Sequence, residues 1–461
     1  LHSSQNSEAK SPRRKSDEKN DAIHVLQPSK IMRSLFICPW LPYPLDTGGN
    51  QRRFHLLQAV AAVSRVTLLC PEPRDPADGV PFREMCEQTL FFPRNAFWWR
   101  EEPQFRPARW AKSMMRRCKT AEPLLLRSYF SSAAKSLATI AAASQFDIVW
   151  VERLLCLRWL PDGLQSRIIV DLDDLEHRKL RREIAVSKTN LQTPFECLEF
   201  LKLRRFELSV PKLPFEFIVS SDLDRRLLGN KENVAVIPNG VVIPGSGQPV
   251  PANDGDPPII LFVGLMDYEP NVDAVRFFAR EVLPLIHGKF PEARFVIVGR
   301  SPCPAVLELN DGTKIVVTGT VPEVEPYLRQ ASVVVAPLRV GGGTRIKILE
   351  AMAHQRPVVA TTIGAEGLEV ESGKHLLIAD TAQGLADACV CLLRDRGMGR
   401  HMSASALDLV REKYDWLQIK RAVSRIILRD TAFEDPAAPS PMAGHNALPN
   451  NVEPACHEVL P

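Results

Sequence analysis

Short apolar runs, separated by stretches whose apolar residues recur every three or four positions, dominate the middle of the chain. The runs at residues 34–38, 66–70, 148–151, 167–172, 217–220 and 234–237 are dense in Val, Ile, Leu and Phe. A strand covered by helices on both faces has this composition, so the runs predict buried strands of a parallel α/β sheet. The pattern stops at residues 244–258, PGSGQPVPANDGDPP, whose Pro, Gly and Asp suit a linker. It restarts with predicted strands at 259–263, 294–298, 315–318, 333–336 and 358–361. Two similar α/β halves are therefore expected, over residues 32–243 and 259–413, with a ligand cleft between them. Trp416, Ile419, Val423 and Ile427 then share one face of a predicted helix over 414–429. Residues 1–31 and 430–461 are polar or proline-rich without a repeating apolar face, and are read as tails, with Met32 as a candidate start.

Composition narrows the class. The 461 residues are 45% hydrophobic and 24% charged, which describes a globular chain. The net charge of +4 is too close to balance to call for nucleic acid over the whole surface. Ten cysteines at irregular positions lack CxxC pairs, so they read as reduced, buried thiols in a cytosol-like compartment. No apolar run approaches the ~18 residues of a membrane span, and the N-terminal residues lack the order of an export signal. A cytoplasmic location is expected. Residues 91–130 carry nine basic and three acidic residues, interleaved with Trp98, Trp99 and Trp110. That mixture suits adsorption to anionic lipid headgroups, and equally a solvated variable loop.

Two glycine-rich turns could carry chemistry. Gly48 and Gly49 follow the first predicted strand and precede a helix expected near Asn50, an arrangement that offers free amides to an anion or simply permits a tight turn. The segment VVVAPLRVGGGTRIKILEAMAHQRPVVATTIGAEGL, residues 333–368, is more informative. Gly341, Gly342 and Gly343 form a loop without side chains, a helix is expected to begin near Thr344, and Arg345 and Lys347 add positive charge beside its amides. Neither GxxxxGK[ST] nor GxGxxG is present, so the loop belongs to neither motif class. Glu350, one turn beyond Lys347, could accept both hydroxyls of a ribose. Lys347, Glu350 and His354 could otherwise be a solvated face, but Ile346, Leu349, Met352 and Ala353 already supply the packed one. Asp171, Asp173 and Asp174 could bind a metal only through one alternate pair, and could instead cap a helix starting at Leu175.

The motifs FVGLMDYEPNVDAVRFFAREVLP (residues 262–284), FVIVGRSP (295–302) and VTGTVPEVEPYL (317–328), with the glycine, arginine and glutamate segment, resemble retaining glycosyltransferases of family 4. WLPYPLDTGGNQRR, VDLDDLEHRKL, SSDLDRRLL and VAVIPNGV match more loosely in the first half. The resemblance implies the GT-B architecture, an α/β fold of two Rossmann-like domains. It also implies transfer of a sugar, with retention, from a nucleotide diphosphate sugar to a glycan or lipid-linked acceptor in polysaccharide or cell-envelope biosynthesis, with no cofactor and no metal. Carried onto this chain, Arg345 and Lys347 neutralise the departing diphosphate, and Glu350 binds the donor ribose. Gly342, Gly343, Thr344 and Gly264 line the donor side, while Gly48 and Gly49 shape it from the first domain. Asp173 takes the place of a histidine frequent in relatives, and Gly342 that of a glutamate. The resemblance implies a lipid-linked or membrane-adjacent acceptor, as related transferases often use, which favours peripheral contact at the inner face of the cell membrane through residues 91–130 over nucleic acid. The last helix is implied to cross back to the first domain. A nucleotide-sugar epimerase or a catalytically silent scaffold of the same fold are the alternative readings.

Overall fold

A computed structural model describes residues 32–45, 47–94, 121–128, 131–142, 145–186, 193–245, 257–343 and 345–428. The expected tails at 1–31 and 430–461, Thr344, most of the basic segment 91–130 and the middle of the linker 244–258 lie outside them. The first half forms a parallel sheet of β1 (Arg33–Ile37), β2 (Arg65–Pro71), β3 (Gln88–Phe92), β4 (Ile148–Glu152), β5 (Arg167–Asp173), β6 (Glu216–Val219) and β7 (Val234–Val236), in the order β3-β2-β1-β4-β5-β6-β7. The second sheet holds β8 (Ile259–Val263), β9 (Arg294–Val298), β10 (Ile315–Gly319), β11 (Val333–Ala336), β12 (Val358–Ala360) and β13 (Leu377–Ile378), in the order β10-β9-β8-β11-β12-β13. Helices cover both faces of each sheet, which is why Leu35, Phe36 and Ile37 are buried in succession, as are Ile260, Leu261 and Phe262. The strand order reverses between β1 and β4 and again between β8 and β11. Connections there leave in opposite directions and open a crevice at the carboxyl ends of the strands.

All eleven sequence-predicted strands are present, and the two that were missed, β3 and β13, lie at sheet edges. An edge strand is not enclosed on both sides, so it needs no apolar run: QTLFF is only part-buried, and β13 has two half-buried residues.

Helices bordering the crevices include α1 (Gly48–Ala61), α2 (Glu176–Val186), α3 (Thr193–Ser209), α4 (Glu269–Phe277) and α5 (Ile346–Ala353), and the last described helix is α6 (Trp416–Leu428). Helix α6 lies on the first domain: Trp416, Ile419, Val423 and Ile427 join a core that contains Phe36, Leu56, Val60 and Ile218. The Trp416 indole stacks on His55 of α1 with centroids 4.5 Å apart. Arg167, at the start of β5, donates to the carbonyls of Ile426 and Ile427 at 2.9 and 3.0 Å. Where the chain leaves and re-enters the first domain its two passes pair, Val241 N–H donating to Tyr414 O at 2.8 Å and Trp416 N–H to Val241 O at 3.2 Å. A Cβ on Gly240 would come within 2.6 Å of Ile419 and 2.8 Å of Trp416, so this crossing needs glycine. No helix among the described residues is long and apolar enough to cross a membrane.

Truncating Trp416 to Ala is expected to cost about 3–5 kcal/mol, and adding one methyl at Gly240 about 1–3 kcal/mol. Both should appear as a lower midpoint in denaturant titration with no change in the slope. An unchanged midpoint in both variants would show that the crossing does not hold the domains.

Candidate functional site

The first wall of the cleft begins where β1 turns into α1. Thr47 caps the helix, its hydroxyl accepting from Asn50 N–H at 3.2 Å, so α1 starts at Gly48, two residues before the predicted Asn50. A Cβ on Gly48 would meet Ile346 of the other domain at 2.5 Å. The missing side chain lets the two glycine-rich turns face each other. One turn further along, fully buried Arg52 donates to both oxygens of Asp171 in β5, at 2.7 and 2.8 Å, and to Ile237 O at 2.9 Å. Every oxygen of that carboxylate is engaged, as a buried ion pair requires.

Asp173 ends β5 with φ at 59°, and Arg153, just after β4, has φ at 68°. Two non-glycine residues in the left-handed region at adjacent strand ends mark the floor of the cleft. The Asp173 carboxylate is already held there, by Arg153 at 3.0 Å, Asn239 at 3.5 Å and Arg52 at 3.6 Å. Among the described residues Asp174 accepts only from the Ser220 hydroxyl, at 3.2 Å. Burial, reinforced by Asp173, pushes its pKa up to about 7. The aspartates do not cap the following helix, which begins at Glu176 rather than Leu175. Buried Glu207 of α3 does so, accepting from the amides of Glu176 and His177 at 2.9 and 3.0 Å and from His177 Nδ1 at 2.5 Å. Among the described residues no group of three or more His, Cys, Asp or Glu side chains is placed to hold a metal ion.

The second wall is the glycine loop after β11. Gly341 and Gly343 have φ of 112° and 78°, which only glycine adopts freely. The loop touches the first domain directly: a Cβ on Gly342 would lie 3.2 Å from Lys179 Cβ, and one on Gly343 would lie 2.2 Å from Asp174 Oδ2. Arg345 occupies the N-cap position of α5, which begins at Ile346 rather than near Thr344. One of its nitrogens donates to Gly342 O. Its Nε and Nη2 are buried without a hydrogen-bond partner among the described residues. Lys347 Nζ lies 2.8 Å from Asn271 Oδ1 of α4 and 3.9 Å from the Phe262 ring centre. Burial brings its pKa down to about 7, with Arg345 adding to the fall. Glu350 is moved the other way, its pKa raised by burial against a hydrogen bond from Gln51 of α1 and the charge of Lys347. A side chain on Gly264 would collide with the Lys347–Asn271 pair, at 2.9 and 2.7 Å.

These walls enclose a cleft of about 680 Å³ lined by Gly48, Gly49, Asp173, Gly264, Gly342, Gly343, Arg345, Lys347 and Glu350. Every sequence-predicted site residue lies in it except Thr344, which is outside the described residues. Lys347 and Glu350 are not a solvated face, and His354 is absent from the lining. Ile346, expected in the packed face, lines the cleft. On one flank Arg178 and Arg182 of α2 grip Glu366 of the second domain at 2.5–2.6 Å, and Arg182 also donates to Gly341 O at 2.5 Å. Sequence reasoning missed Gln51, Arg52, Asn271 and the Arg182–Glu366 pair. Arg52 left a signal, since it shares a buried face with Leu56, Ala59 and Val60 and a charge there needs a buried partner. The others depend on contacts between distant segments. An unbalanced cationic loop with a carboxylate one turn deeper can take an anion joined to a polyol.

Comparisons with known proteins agree with this architecture. Phosphatidyl-myo-inositol mannosyltransferase of Mycobacterium leprae (strain TN) is 31% identical over 222 residues, 45% of this chain and 58% of its own. The protein of the same name from Mycolicibacterium smegmatis is 29% identical over 232 residues, 45% of this chain and 56% of its own. The chain thus spans little more than half the length of these curated relatives. Among solved structures, sucrose-phosphate synthase of Thermosynechococcus elongatus superposes with a TM-score of 0.59 at 16% identity, covering 87% of this chain and 99% of that one. HepE of Anabaena, solved with UDP and glucose, gives 0.56 at 13% identity, over 86% of this chain and all (100%) of that one. Residues 257–395 match the model of the family described as Glycosyl transferases group 1, and the chain has the GT-B fold of two Rossmann-like domains facing one cleft.

Proposed function

We propose that the protein is a glycosyltransferase that moves a sugar, with retention, from a nucleoside diphosphate sugar to a glycan or lipid-linked acceptor. The observation that carries this reading is Arg345, buried beside the glycine loop with two guanidinium nitrogens unpartnered. A diphosphate would supply the missing acceptors, and Lys347 the second positive charge. Both cations then oppose the negative charge that grows on the leaving diphosphate as the glycosidic bond breaks, and this role requires no metal ion or cofactor. Glu350, across the cleft from Gln51, would accept the ribose hydroxyls. Gly264, Gly342 and Gly343 let backbone approach the donor, and Gly48 and Gly49 close the cleft from the first domain. The relatives named phosphatidyl-myo-inositol mannosyltransferase support a lipid-linked acceptor; work at the inner face of a membrane, in cell-envelope or polysaccharide assembly, is part of the same proposal. The match to the Glycosyl transferases group 1 model over the donor-side residues supports transfer itself.

Three outcomes follow for purified protein. Glu350→Ala should weaken nucleoside diphosphate binding about tenfold or more, by loss of a charged hydrogen-bond acceptor, in calorimetric titration. Arg345→Ala should lower turnover about 10²–10³-fold, the scale of removing one transition-state stabilising group. Wild-type values for both variants would remove these assignments. Diphosphate affinity should also fall as pH rises through about 7. Below that pH Lys347 is an ammonium and Asp174 a neutral acid; above it the lysine loses its positive charge and the aspartate gains a negative one, and both changes oppose an anion. Lys347→Arg, charged throughout, should show a shallower fall, and an identical pH profile would exclude Lys347 from the anion site.

A further inference from the structure

The loop at residues 341–343 carries no side chain, so the side chains lying directly against it come from the first domain. Among the described residues, Arg182 holds Gly341 O, and Lys179 and Asp174 lie against Gly342 and Gly343. Lys179 packs its Cβ toward Gly342 and sends its amine to 5.9 Å from the Tyr268 ring centre and 4.0 Å from Glu183. Asp174 lies in the cleft lining with one oxygen against Gly343. Its Oδ1 accepts from Ser220, while its Oδ2 has no hydrogen-bond partner among the described residues. Asp173, one residue earlier, has no such freedom, because Arg153, Arg52 and Asn239 surround its carboxylate.

From this we infer that Asp174, rather than Asp173, is the specificity-determining contact of the first domain to the transferred sugar, its free oxygen bonding a sugar hydroxyl next to the diphosphate. The inference rests on the reading of the cleft as a nucleoside diphosphate sugar site. The groups facing Asp174 make the contact compatible with a nearby diphosphate. Burial favours its neutral form, as do the carboxylates of Asp173, Asp224 and Glu176, against Arg153. Arg345 approaches across the glycine loop and feels its charge. A neutral carboxyl can donate to one sugar oxygen and accept from another without repelling the phosphates. An amide at this position would keep the donor and the acceptor, whereas a methyl would keep neither.

The test compares matched probes, UDP with UDP-glucose, GDP with GDP-mannose and ADP with ADP-glucose, by calorimetry on the full chain. For whichever pair binds wild type, the ratio of the sugar-nucleotide Kd to the diphosphate Kd should rise about tenfold in Asp174→Ala, the cost of leaving a sugar hydroxyl unpaired. Asp174→Asn should stay near the wild-type ratio, and diphosphate affinity alone should not weaken in either variant. If the alanine variant does not fold, Asp174→Ser repeats the comparison with a shorter polar group. A ratio unchanged in Asp174→Ala or Asp174→Ser, in a protein whose wild type binds the pair, overturns the inference and leaves the donor-site reading intact. A wild type that binds no pair overturns both.

Discussion

The buried pair of Arg52 and Asp171 fixes the relation between the two segments that form the first wall of the cleft. Arg52 belongs to the helix that begins at the paired glycines, and Asp171 to the strand that ends in Asp173 and Asp174. Removing two charges from water costs several kcal/mol per ion, and this is tolerated only when geometry leaves nothing unsatisfied. Here the guanidinium meets both carboxylate oxygens and a backbone carbonyl. Asp171 in turn raises the arginine's pKa, overcoming the lowering that burial alone would cause. The same charges govern their neighbours. Glu152, buried alongside, has its pKa pushed up to about 8 by burial and Asp171, while Arg52 also reaches toward Asp173. That sharing commits the Asp173 carboxylate to the protein and leaves the next residue to face the cleft.

The second constraint is steric, and it acts through missing atoms. Gly48 admits Ile346, Gly343 admits the Asp174 carboxylate, Gly264 admits the Lys347–Asn271 pair, and Gly240 admits Trp416. Three of these approaches join one domain to the other or to the crossing helix. The glycine loop is therefore the surface on which the two halves meet, with Arg182 bonding Gly341 O and, with Arg178, fastening Glu366 on its flank. A loop gripped from the opposite domain can hold its amides in place more firmly than its own sequence would allow, which matters for any ligand recognised through backbone.

Much of this was legible in the sequence, and the limits have physical causes. Buried parallel strands announce themselves because both faces must be apolar, so eleven were predicted and only the edge strands β3 and β13 were missed. The candidate site was legible where one segment carries it all: Gly342, Gly343, Arg345, Lys347 and Glu350 lie within ten residues and reach the same cleft. Helix starts shifted by about two residues, since capping depends on a single hydroxyl or carboxylate, and Glu207 caps α2 from thirty residues away. What the sequence could not show was which carboxylate is already spent. Asp173 and Asp174 are adjacent and identical, and only the positions of Arg153, Arg52 and Asn239 separate them.

The titration shifts in the cleft follow from one cause. Lys347 is held below the usual lysine range and Glu350 and Asp174 above the usual carboxylate range, each with burial as the first reason. A site in which cations are pressed to release protons and acids to retain them is poorly served by its own residues, and Arg345 keeps two nitrogens unpaired within it. Folding has therefore left electrostatic work undone in the cleft, where Arg345 has two buried nitrogens without a partner among the described residues, while the Arg52 guanidinium is matched by Asp171 and Ile237 O. An anionic ligand would restore the charge on Lys347 and complete Arg345, while a hydroxyl-rich extension would find in Asp174 and Glu350 carboxyl groups able to bond it in either protonation state. Preorganised, unsatisfied polarity of this kind gives binding energy directed at a particular charge pattern, because the protein need not break internal pairs to use it.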